Sequence, residues 1–302
     1  MTDTNNPLTQ PTTQYAVEPA ETLKELPEHK TLALENSKPT AKKNYALITG
    51  ASSGIGEAFA QILASKKKPL ILVGRNEQKL KALSAELRQN NDVDIRFLLI
   101  DLARSKDMPQ LPSKLKRMGI KIDVLINCAG FGKHGLESQI SYEDALNMIN
   151  LNCRATLSLT KLFLPEMLKD NKGAIINIAA LAGLFPVPFM ATYSATKAFV
   201  INYTQALAEE LKSTGVKVLC ACPGPTATNF YKSAGINTSK HKSLQDLNDP
   251  HYIAEQTLQA LKDGKTFTII GAKSTWSKYL PKLIPRKLLL KFGASLLRPD
   301  EA

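Results

Sequence analysis

The sequence predicts a doubly wound α/β fold, with a parallel seven-stranded sheet and a C-terminal helical extension. Three observations lead to this expectation: short apolar runs, segments of helical periodicity between them, and a glycine-rich turn directly after the first run. Alternating strands and helices indicate parallel pairing with helices on both faces of the sheet. At 302 residues and 43% hydrophobic content, the chain is long enough for one large domain with a substantial core.

Each predicted element follows from a run of this kind. The apolar runs predict strands at 45–50, 69–74, 94–101, 124–130, 174–180, 216–222 and 266–271. Helical spacing predicts helices at 55–66, 76–90, 104–118, 141–169, 192–213 and 251–262, the fourth long enough to contain a break. Asp249 and Pro250 supply a cap and a first-turn proline for the last helix. Ligands of such sheets bind beyond the carboxyl ends of the strands, so every strand end is a candidate site position.

The flanking segments differ from this core in composition. Residues 1–43 are polar with scattered prolines, which predicts a disordered N-terminal arm before a domain at 44–272 and a basic extension at 273–302. The first residues lack a basic segment followed by an apolar one, so no signal peptide is expected. No run of about 18 apolar residues is free of breakers, so no transmembrane helix is expected and we anticipate a cytoplasmic chain.

Charge and cysteine content exclude several classes of function. The formal charge is +12, which fits a solvated basic surface better than nucleic-acid binding, because no nucleic-acid motif accompanies it. Cys128, Cys153, Cys220 and Cys222 match neither zinc-site spacing nor a secreted disulfide framework. We therefore expect reduced core cysteines and no metal.

The first strand runs into the glycine-rich segment TGASSGIG at 49–56. Glycines allow a tight turn and let backbone N–H groups approach a pyrophosphate, while the helix that follows points its positive end at that charge. A glycine cluster alone is weak support, but its position between the first strand and a helix favours dinucleotide binding over a structural turn.

The end of the second strand predicts which nicotinamide cofactor is used. An acidic residue there would bond the ribose hydroxyls and repel a 2′-phosphate. The segment Val73-Gly74-Arg75-Asn76 has no carboxylate, and Arg75 could clamp a 2′-phosphate with its planar guanidinium, although it could also be a solvated arginine. We therefore expect NADP(H) rather than NAD(H). Asp101 and Leu102, after the third strand, are candidates for the adenine edge, and Asp101 could equally cap a helix.

Four motifs together resemble the short-chain dehydrogenase/reductase family: TGASSGIG at 49–56, NCAG at 127–130, YSATK at 193–197 and PGPTAT at 223–228. They occur in family order and spacing, and the resemblance covers about residues 44–272. It implies a single Rossmann-type domain, a nicotinamide cofactor, hydride transfer between a carbonyl and an alcohol on a small-molecule substrate, and a homo-oligomer. The cofactor-binding positions it implies, with the three candidates above, are Gly50, Ser52, Ser53, Gly54, Ile55, Gly56, Arg75, Asp101, Leu102, Asn127, Ala129, Gly130, Tyr193, Lys197, Pro223, Gly224, Thr226 and Thr228.

The resemblance also implies catalytic roles. Tyr193 matches the acid/base and Lys197 its partner, while Asn152 matches the helix asparagine that holds a proton-relay water. On a helix, residues four apart lie on one face. A free tyrosine has a pKa of about 10, and a nearby ammonium together with the oxidised nicotinamide should favour the phenolate. Alone, such a pair would more often be a surface contact.

One catalytic position departs from the family pattern. A hydroxyl, usually serine, stands thirteen residues before the tyrosine, and here that position is Ala180. No serine or threonine lies between Gly173 and Thr192, so a register shift does not restore it. Losing such a donor typically costs about 10²–10³ in turnover. Three hypotheses follow: a slow enzyme, a site in which a water or substrate group replaces the hydroxyl, or an NADP(H)-binding regulatory or scaffold protein without catalysis.

Two further segments bear on the substrate and on membranes. The resemblance makes 225–247 the substrate loop, and Leu184, Phe185, Val187, Phe189 and Met190 could line an apolar pocket or pack in the core. An apolar or lipid-like ketone is therefore the expected substrate. The extension at 274–299 mixes apolar residues with lysine and arginine and has no acids, so it could lie on an anionic membrane, although packing on the domain is slightly favoured.

Overall fold

A computed structural model describes residues 43–104, 106, 108–238, 244, 246–271 and 285–298. The predicted arm at 1–43 lies outside these residues except for its last position, and so does the whole stretch from 272 to 284. The strands are β1 (Lys43–Thr49), β2 (Leu70–Gly74), β3 (Ile95–Leu99), β4 (Ile120–Asn127), β5 (Gly173–Ile178), β6 (Val216–Pro223) and β7 (Phe267–Ile270). They form one sheet in the order β3-β2-β1-β4-β5-β6-β7. Every pair is parallel, which confirms the predicted fold class.

The helices follow the predicted alternation. They are α1 (Gly54–Ser65), α2 (Glu77–Asn91), α3 (Leu111–Arg117), α4 (Tyr142–Ile149), α5 (Thr156–Lys169), α6 (Ala191–Glu210), α7 (Phe230–Ala234), α8 (Pro250–Lys262) and α9 (Arg286–Leu297). The capping prediction for α8 is confirmed, since the Asp249 side chain accepts from the His251 N–H and Pro250 occupies the first turn.

Two predicted elements were misplaced. The fourth strand starts at Ile120 and ends at Asn127, rather than spanning 124–130. Its first half alternates lysine and aspartate with isoleucine, which conceals a strand when only continuous apolar runs are sought. The helix predicted at 104–118 is shorter, because a 3-10 turn at Met108–Gln110 precedes α3.

Alternating side chains of the strands fill a core on each face of the sheet. In β1, Tyr45 and Leu47 pack with residues of α3, α5 and α6, whereas Ala46 and Ile48 pack with residues of α1, α2 and α8. This is the period-two pattern of a strand that is buried on both faces. The chain reverses its direction of winding between β1 and β4, which opens a crevice at the carboxyl ends of these two strands.

The long helix predicted at 141–169 is interrupted as anticipated. Residues Asn150–Ala155 form a π-helical turn between α4 and α5. Such turns widen a helix locally and often occur at functional sites. Here the turn carries Asn152, whose side chain is buried.

Candidate active site

One large cavity lies at the carboxyl ends of the strands, with a volume of about 1100 Å³. Its walls include the turn after β1 and the segments that follow β2, β3, β4, β5 and β6. Of the predicted site residues, all except Asn127 and Asn152 line it. The cavity therefore unites positions that are as far apart in sequence as Gly50 and Thr228.

The turn between β1 and α1 forms a cradle that only glycine permits. Gly50 has a φ of +68°, and a Cβ there would lie 2.9 Å from the Ala129 Cα at the end of β4. A Cβ on Gly56 would lie 2.3 Å from the Gly50 carbonyl oxygen. Ser53 caps α1 without a side-chain bond, so the first N–H groups of the helix remain available to an anion. This geometry fits a pyrophosphate.

The end of β2 is basic. Arg75 is exposed and lines the cavity together with Lys79, one helical turn further on. The Asn76 side chain accepts from the Lys79 N–H at 2.9 Å and so fixes the start of α2. The motifs of the sequence did not indicate Lys79, although its four-residue spacing from Arg75 is a signal that could have done so. Two cations fit the 2′-phosphate of NADP(H).

Asp101 stabilises the turn after β3 rather than capping a helix, because the next helical residues begin at Met108. Its carboxylate accepts from the Ala103 N–H at 3.0 Å, and the residue also lines the cavity. Leu102 is 3% exposed and packs in the core cluster beside β3 while also touching the cavity wall.

Asn127 lies in the sheet interior rather than in the cavity wall. Its amide N–H donates to the Asn177 side chain at 2.8 Å and faces the Thr160 hydroxyl at 3.3 Å, while Asn177 donates to Thr204 at 2.9 Å. This buried chain of bonds ties β4 to β5, α5 and α6. The residues after Asn127 line the cavity through Ala129 and Gly130 instead.

Tyr193 and Lys197 lie on one face of α6 at the base of the cavity, 8% and 5% exposed. The Lys197 ammonium donates to the Ile178 carbonyl at 3.0 Å and lies 5.9 Å from the Tyr193 ring centroid. Burial lowers the pKa of Lys197, because the thiols surrounding it supply no full negative charge. Burial raises the pKa of Tyr193, with the Tyr231 phenol as the next cause. In the ligand-free protein burial therefore outweighs the expected pull toward phenolate.

The four cysteines surround this lysine. All four are free thiols, as expected: Cys220 and Cys222 are buried, and Cys128 and Cys153 partly so. Burial raises the pKa of Cys128 to about 12 and that of Cys153 to about 11. The Cys128 and Cys153 thiols are therefore neutral near pH 7 and provide no ionic partner for Lys197.

Asn152 is held by three hydrogen bonds. Its carbonyl oxygen accepts from the Phe131 N–H at 3.1 Å, and its amide donates to the Phe131 carbonyl and to the Thr196 hydroxyl, each at 2.9 Å. A Cβ added to Gly130 would lie 3.1 Å from both the Asn152 oxygen and the Lys197 ammonium. The second lone pair of that oxygen thus lies near Lys197, where it could receive one hydrogen of a water.

Ala180 lines the cavity directly after β5, in extended backbone with a φ of −163° and a ψ of 158°. The apolar residues that follow contribute to both the cavity and the core. Phe185, Val187 and Met190 line the cavity, whereas Leu184 packs with Cys220 and Cys222 in the core. Phe189 has a φ of +64° and stays outside the wall.

Helix α9 forms a wall that the sequence pattern did not reveal. Leu289, Gly293 and Leu297 line the cavity. The His134 ring N–H donates to the Leu297 carbonyl at 2.6 Å, and a Cβ on Gly293 would lie 3.1 Å from Pro188 Cδ. The packing of this part of the extension on the domain is therefore confirmed. Phe131 is another wall residue that the sequence pattern did not indicate. The segment expected to be the substrate loop also lines the cavity, through Phe230, Tyr231, Ile236 and Leu244.

None of the helices in the described part of the chain combines the length and apolar character needed to span a bilayer.

Comparison with known proteins gives concordant matches. The family model described as short chain dehydrogenase matches residues 44–238. The very-long-chain 3-oxoacyl-CoA reductase of Rattus norvegicus is 34% identical over 83% of this chain and 80% of its own length. That of Pyrenophora tritici-repentis is 38% identical over 58% of this chain, a match that spans only about half of that relative, 53%. A short-chain dehydrogenase from Sphingobium yanoikuyae, solved in complex with NADPH, has 31% identity and a TM-score of 0.71, covering 86% of this chain and 98% of its own.

Proposed function

Because this chain belongs to the short-chain dehydrogenase family, we propose that it reduces the ketone of a long-chain 3-oxoacyl thioester with NADP(H) as cofactor. The observation that carries the proposal is a cavity with a dinucleotide cradle at one end and Tyr193 and Lys197 at its base, continued by apolar walls from α7 and α9. The match to 3-oxoacyl-CoA reductases supports a thioester-linked ketone as substrate.

The cofactor is held by groups of this chain alone. The α1 N-terminus and the glycine turn receive the pyrophosphate, and Arg75 with Lys79 receive the 2′-phosphate. Lys197 has N–H groups beyond the one given to Ile178, and these can reach ribose hydroxyls. When bound, NADPH supplies the hydride. The NADPH-bound relative and the basic end of β2 both support this cofactor choice.

Tyr193 acts as the proton donor in reduction. Burial raises the pKa of Tyr193, so its phenol is protonated throughout the physiological range. An acid this weak gives up its proton only as negative charge develops on the carbonyl oxygen. The Lys197 ammonium, 5.9 Å from the ring centroid, stabilises the phenolate that remains.

The apolar part of the cavity selects the acyl chain. Phe185, Val187, Met190, Leu289 and Leu297 surround the space beyond Tyr193. Each methylene buried there contributes about 0.8 kcal/mol, so chain length should raise affinity steeply until the cavity is filled.

The test is NADPH oxidation with 3-oxoacyl-CoA esters of increasing chain length, with Tyr193→Phe as the matched control. We expect turnover that depends on the long chain and is lost in Tyr193→Phe, while fluorescence titration shows NADPH bound equally by both proteins. NADPH binding without turnover of any chain length would overturn the proposed reaction.

Ala180 favours one alternative, a catalytically impaired NADP(H)-binding regulatory or scaffold protein. That hypothesis predicts tight NADPH binding and no oxidation with any ketone or aldehyde. The same assays therefore separate the two functions.

We further propose that α9 rests on an anionic membrane surface. Its exposed side includes Arg286, Lys287, Lys291 and Arg298, with Leu288 56% exposed. Cations beside exposed leucine are typical of helices that lie in a bilayer interface, and the opposite side of α9 lines the cavity, which would bring acyl substrates near its entrance.

We also propose that the chain self-associates through α5 and α6. Leu157 and Phe199 are 36% and 39% exposed on these helices, and the Phe199 ring stacks on Tyr203 at 5.9 Å. Light scattering on the purified protein should give a mass of at least two chains.

A further inference from the structure

The absence of a hydroxyl at Ala180 leaves the substrate oxygen short of one hydrogen-bond donor. We propose that the Tyr231 hydroxyl supplies this hydrogen bond to the substrate carbonyl oxygen. The inference rests on the proposed reductase function and assigns a catalytic residue to the same site. Tyr231 lies on α7, within the segment that the sequence predicted to be a loop. Only the tertiary structure places it in the same cavity as Tyr193.

The Tyr231 ring is held in a fixed orientation. It meets the Phe230 ring edge-on at 90° and 5.5 Å, and Phe230 lies 5.1 Å from the Tyr193 ring. The Thr228 hydroxyl accepts from the Phe230 N–H at 3.2 Å, and the Tyr231 carbonyl accepts from the Ile236 N–H at 2.9 Å. Both ends of this short helix are thus pinned, which limits the rotamer entropy lost when the hydroxyl binds a ligand.

The Tyr231 hydroxyl is able to donate, because no acceptor for its proton is found among the residues that the structure describes. The Thr226 backbone N–H lowers the pKa of Tyr231, but burial is the larger effect. Burial raises the pKa of Tyr231 to about 12, so the proton stays on the oxygen.

Its position relative to the reaction follows from two contacts. Tyr231 packs against the buried cluster that contains Tyr193, and both side chains line the cavity. Thr226 belongs to the segment after β6 that the family resemblance assigns to the nicotinamide side. A ketone between Tyr193 and that segment therefore has Tyr231 beside its oxygen. Tyr193 transfers its proton to this oxygen, and Tyr231 only donates a hydrogen bond and keeps its own proton.

Other hydroxyls of the cavity are less suited to this role. The Thr226 hydroxyl donates to the Gly224 carbonyl at 2.8 Å, and the Ser233 hydroxyl to the Phe230 carbonyl at 2.9 Å. Thr228 points its methyl group at Gly54, since a Cβ there would meet it at 2.7 Å, and so belongs to the pyrophosphate end. Ser52 and Ser53 lie in that same turn.

The experiment compares Tyr231→Phe, Ala180→Ser and the double variant with wild type, in NADPH oxidation with the long-chain 3-oxoacyl-CoA. Tyr231→Phe should lower kcat by about 100-fold, the usual effect of removing one oxyanion donor. Ala180→Ser should change wild type less than threefold, yet raise kcat of Tyr231→Phe by at least tenfold, because a serine hydroxyl then replaces the lost donor. Tyr142→Phe, which alters a phenol that is 80% exposed, is the matched control and should leave kcat unchanged.

A second readout does not depend on turnover. With NADP⁺ present, calorimetry with a long-chain acyl amide, whose carbonyl accepts a hydrogen bond but is not reduced, should show several-fold weaker binding to Tyr231→Phe than to wild type. Unchanged kcat and unchanged amide binding in Tyr231→Phe would overturn the inference, as would a tenfold or larger gain from Ala180→Ser alone. An inactive wild type that binds NADPH would instead refute the proposed function.

Discussion

Gly56→Ala should abolish tight NADPH binding while leaving the fold intact. Gly56 lies in the first turn of α1, and it is not among the residues with a positive φ, so alanine imposes no backbone strain of its own. Its Cβ would lie 2.3 Å from the Gly50 carbonyl oxygen and 2.7 Å from the Gly50 carbonyl carbon. Both are backbone atoms, so the substitution acts by forcing the turn open.

The size of the effect follows from that contact. The turn has to open by about 1 Å before the new methyl reaches the ordinary contact distance of 3.4 Å. N–H bonds to oxygen fail beyond about 3.2 Å, so at least one bond to the pyrophosphate is lost. A hydrogen bond to a charged group contributes about 2 kcal/mol. One lost bond therefore weakens NADPH binding about 30-fold, and two lost bonds about 1000-fold.

The assay is NADPH fluorescence titration, paired with thermal unfolding. Gly264→Ala is the matched control, because Gly264 has a φ of +74° but no atom within 4 Å of its Cβ position. It should lower stability by about 1 kcal/mol and leave NADPH affinity unchanged. Wild-type NADPH affinity in Gly56→Ala would refute the assignment of this turn to the pyrophosphate.

Arg75→Ala should weaken NADPH binding by tenfold or more and leave NADH binding unchanged, because only NADPH carries the 2′-phosphate; equal losses for both would contradict the assignment. The reduction rate should fall as pH rises through the pKa of Lys197, because the ammonium is then lost; burial holds this pKa below 10.5. In a kcat–pH profile, Lys197→Arg should move this alkaline limit to higher pH. A limit that does not move would exclude Lys197 as its source. Gly293→Leu should raise KM for long acyl chains more than for short ones without altering NADPH affinity. The added side chain would either meet Pro188, 3.1 Å from its Cβ position, or occupy part of the cavity. An equal rise in KM for all chain lengths would show that α9 does not select the acyl chain. Charge reversal at Lys287 and Lys291 should reduce co-sedimentation with anionic vesicles, and unchanged sedimentation would remove the membrane proposal.

The elements best predicted from sequence were those whose local signals agree. All seven strands were anticipated because each contains a continuous apolar run, and even the interruption of the helix at 141–169 was foreseen. The start of the fourth strand was misplaced, however, because Lys121 and Asp123 lie at its half-exposed positions and interrupt the apolar run. Lys121 forms an ion pair with Asp170, and Asp123 with Lys68, contacts that only neighbouring elements can supply.

The candidate site was predictable where a backbone requirement or a reactive group marks the sequence. The glycine cradle needs positions without a Cβ, and Tyr193 with Lys197 has helical spacing, so both were recognisable as motifs. Arg75 was recognisable because the end of β2 has no carboxylate that would repel a 2′-phosphate. The role of Asn127 was not predictable from the sequence. Its amide donates to Asn177 instead of facing the cavity because β5 lies beside β4, and this pairing is a tertiary feature.

By itself, the sequence determined the fold class and the glycine turn, and it pointed to Tyr193 as the candidate acid/base and to the missing hydroxyl at Ala180, because each depends on residue type and on spacing along one element. Only the tertiary structure decided what surrounds them. Burial sets the pKa of Tyr193 and Lys197, and that burial comes from elements distant in sequence. Likewise, α7 brings Tyr231 into the same cavity as Tyr193 and α9 forms part of its wall, because long-range packing brings these helices to the carboxyl ends of the strands.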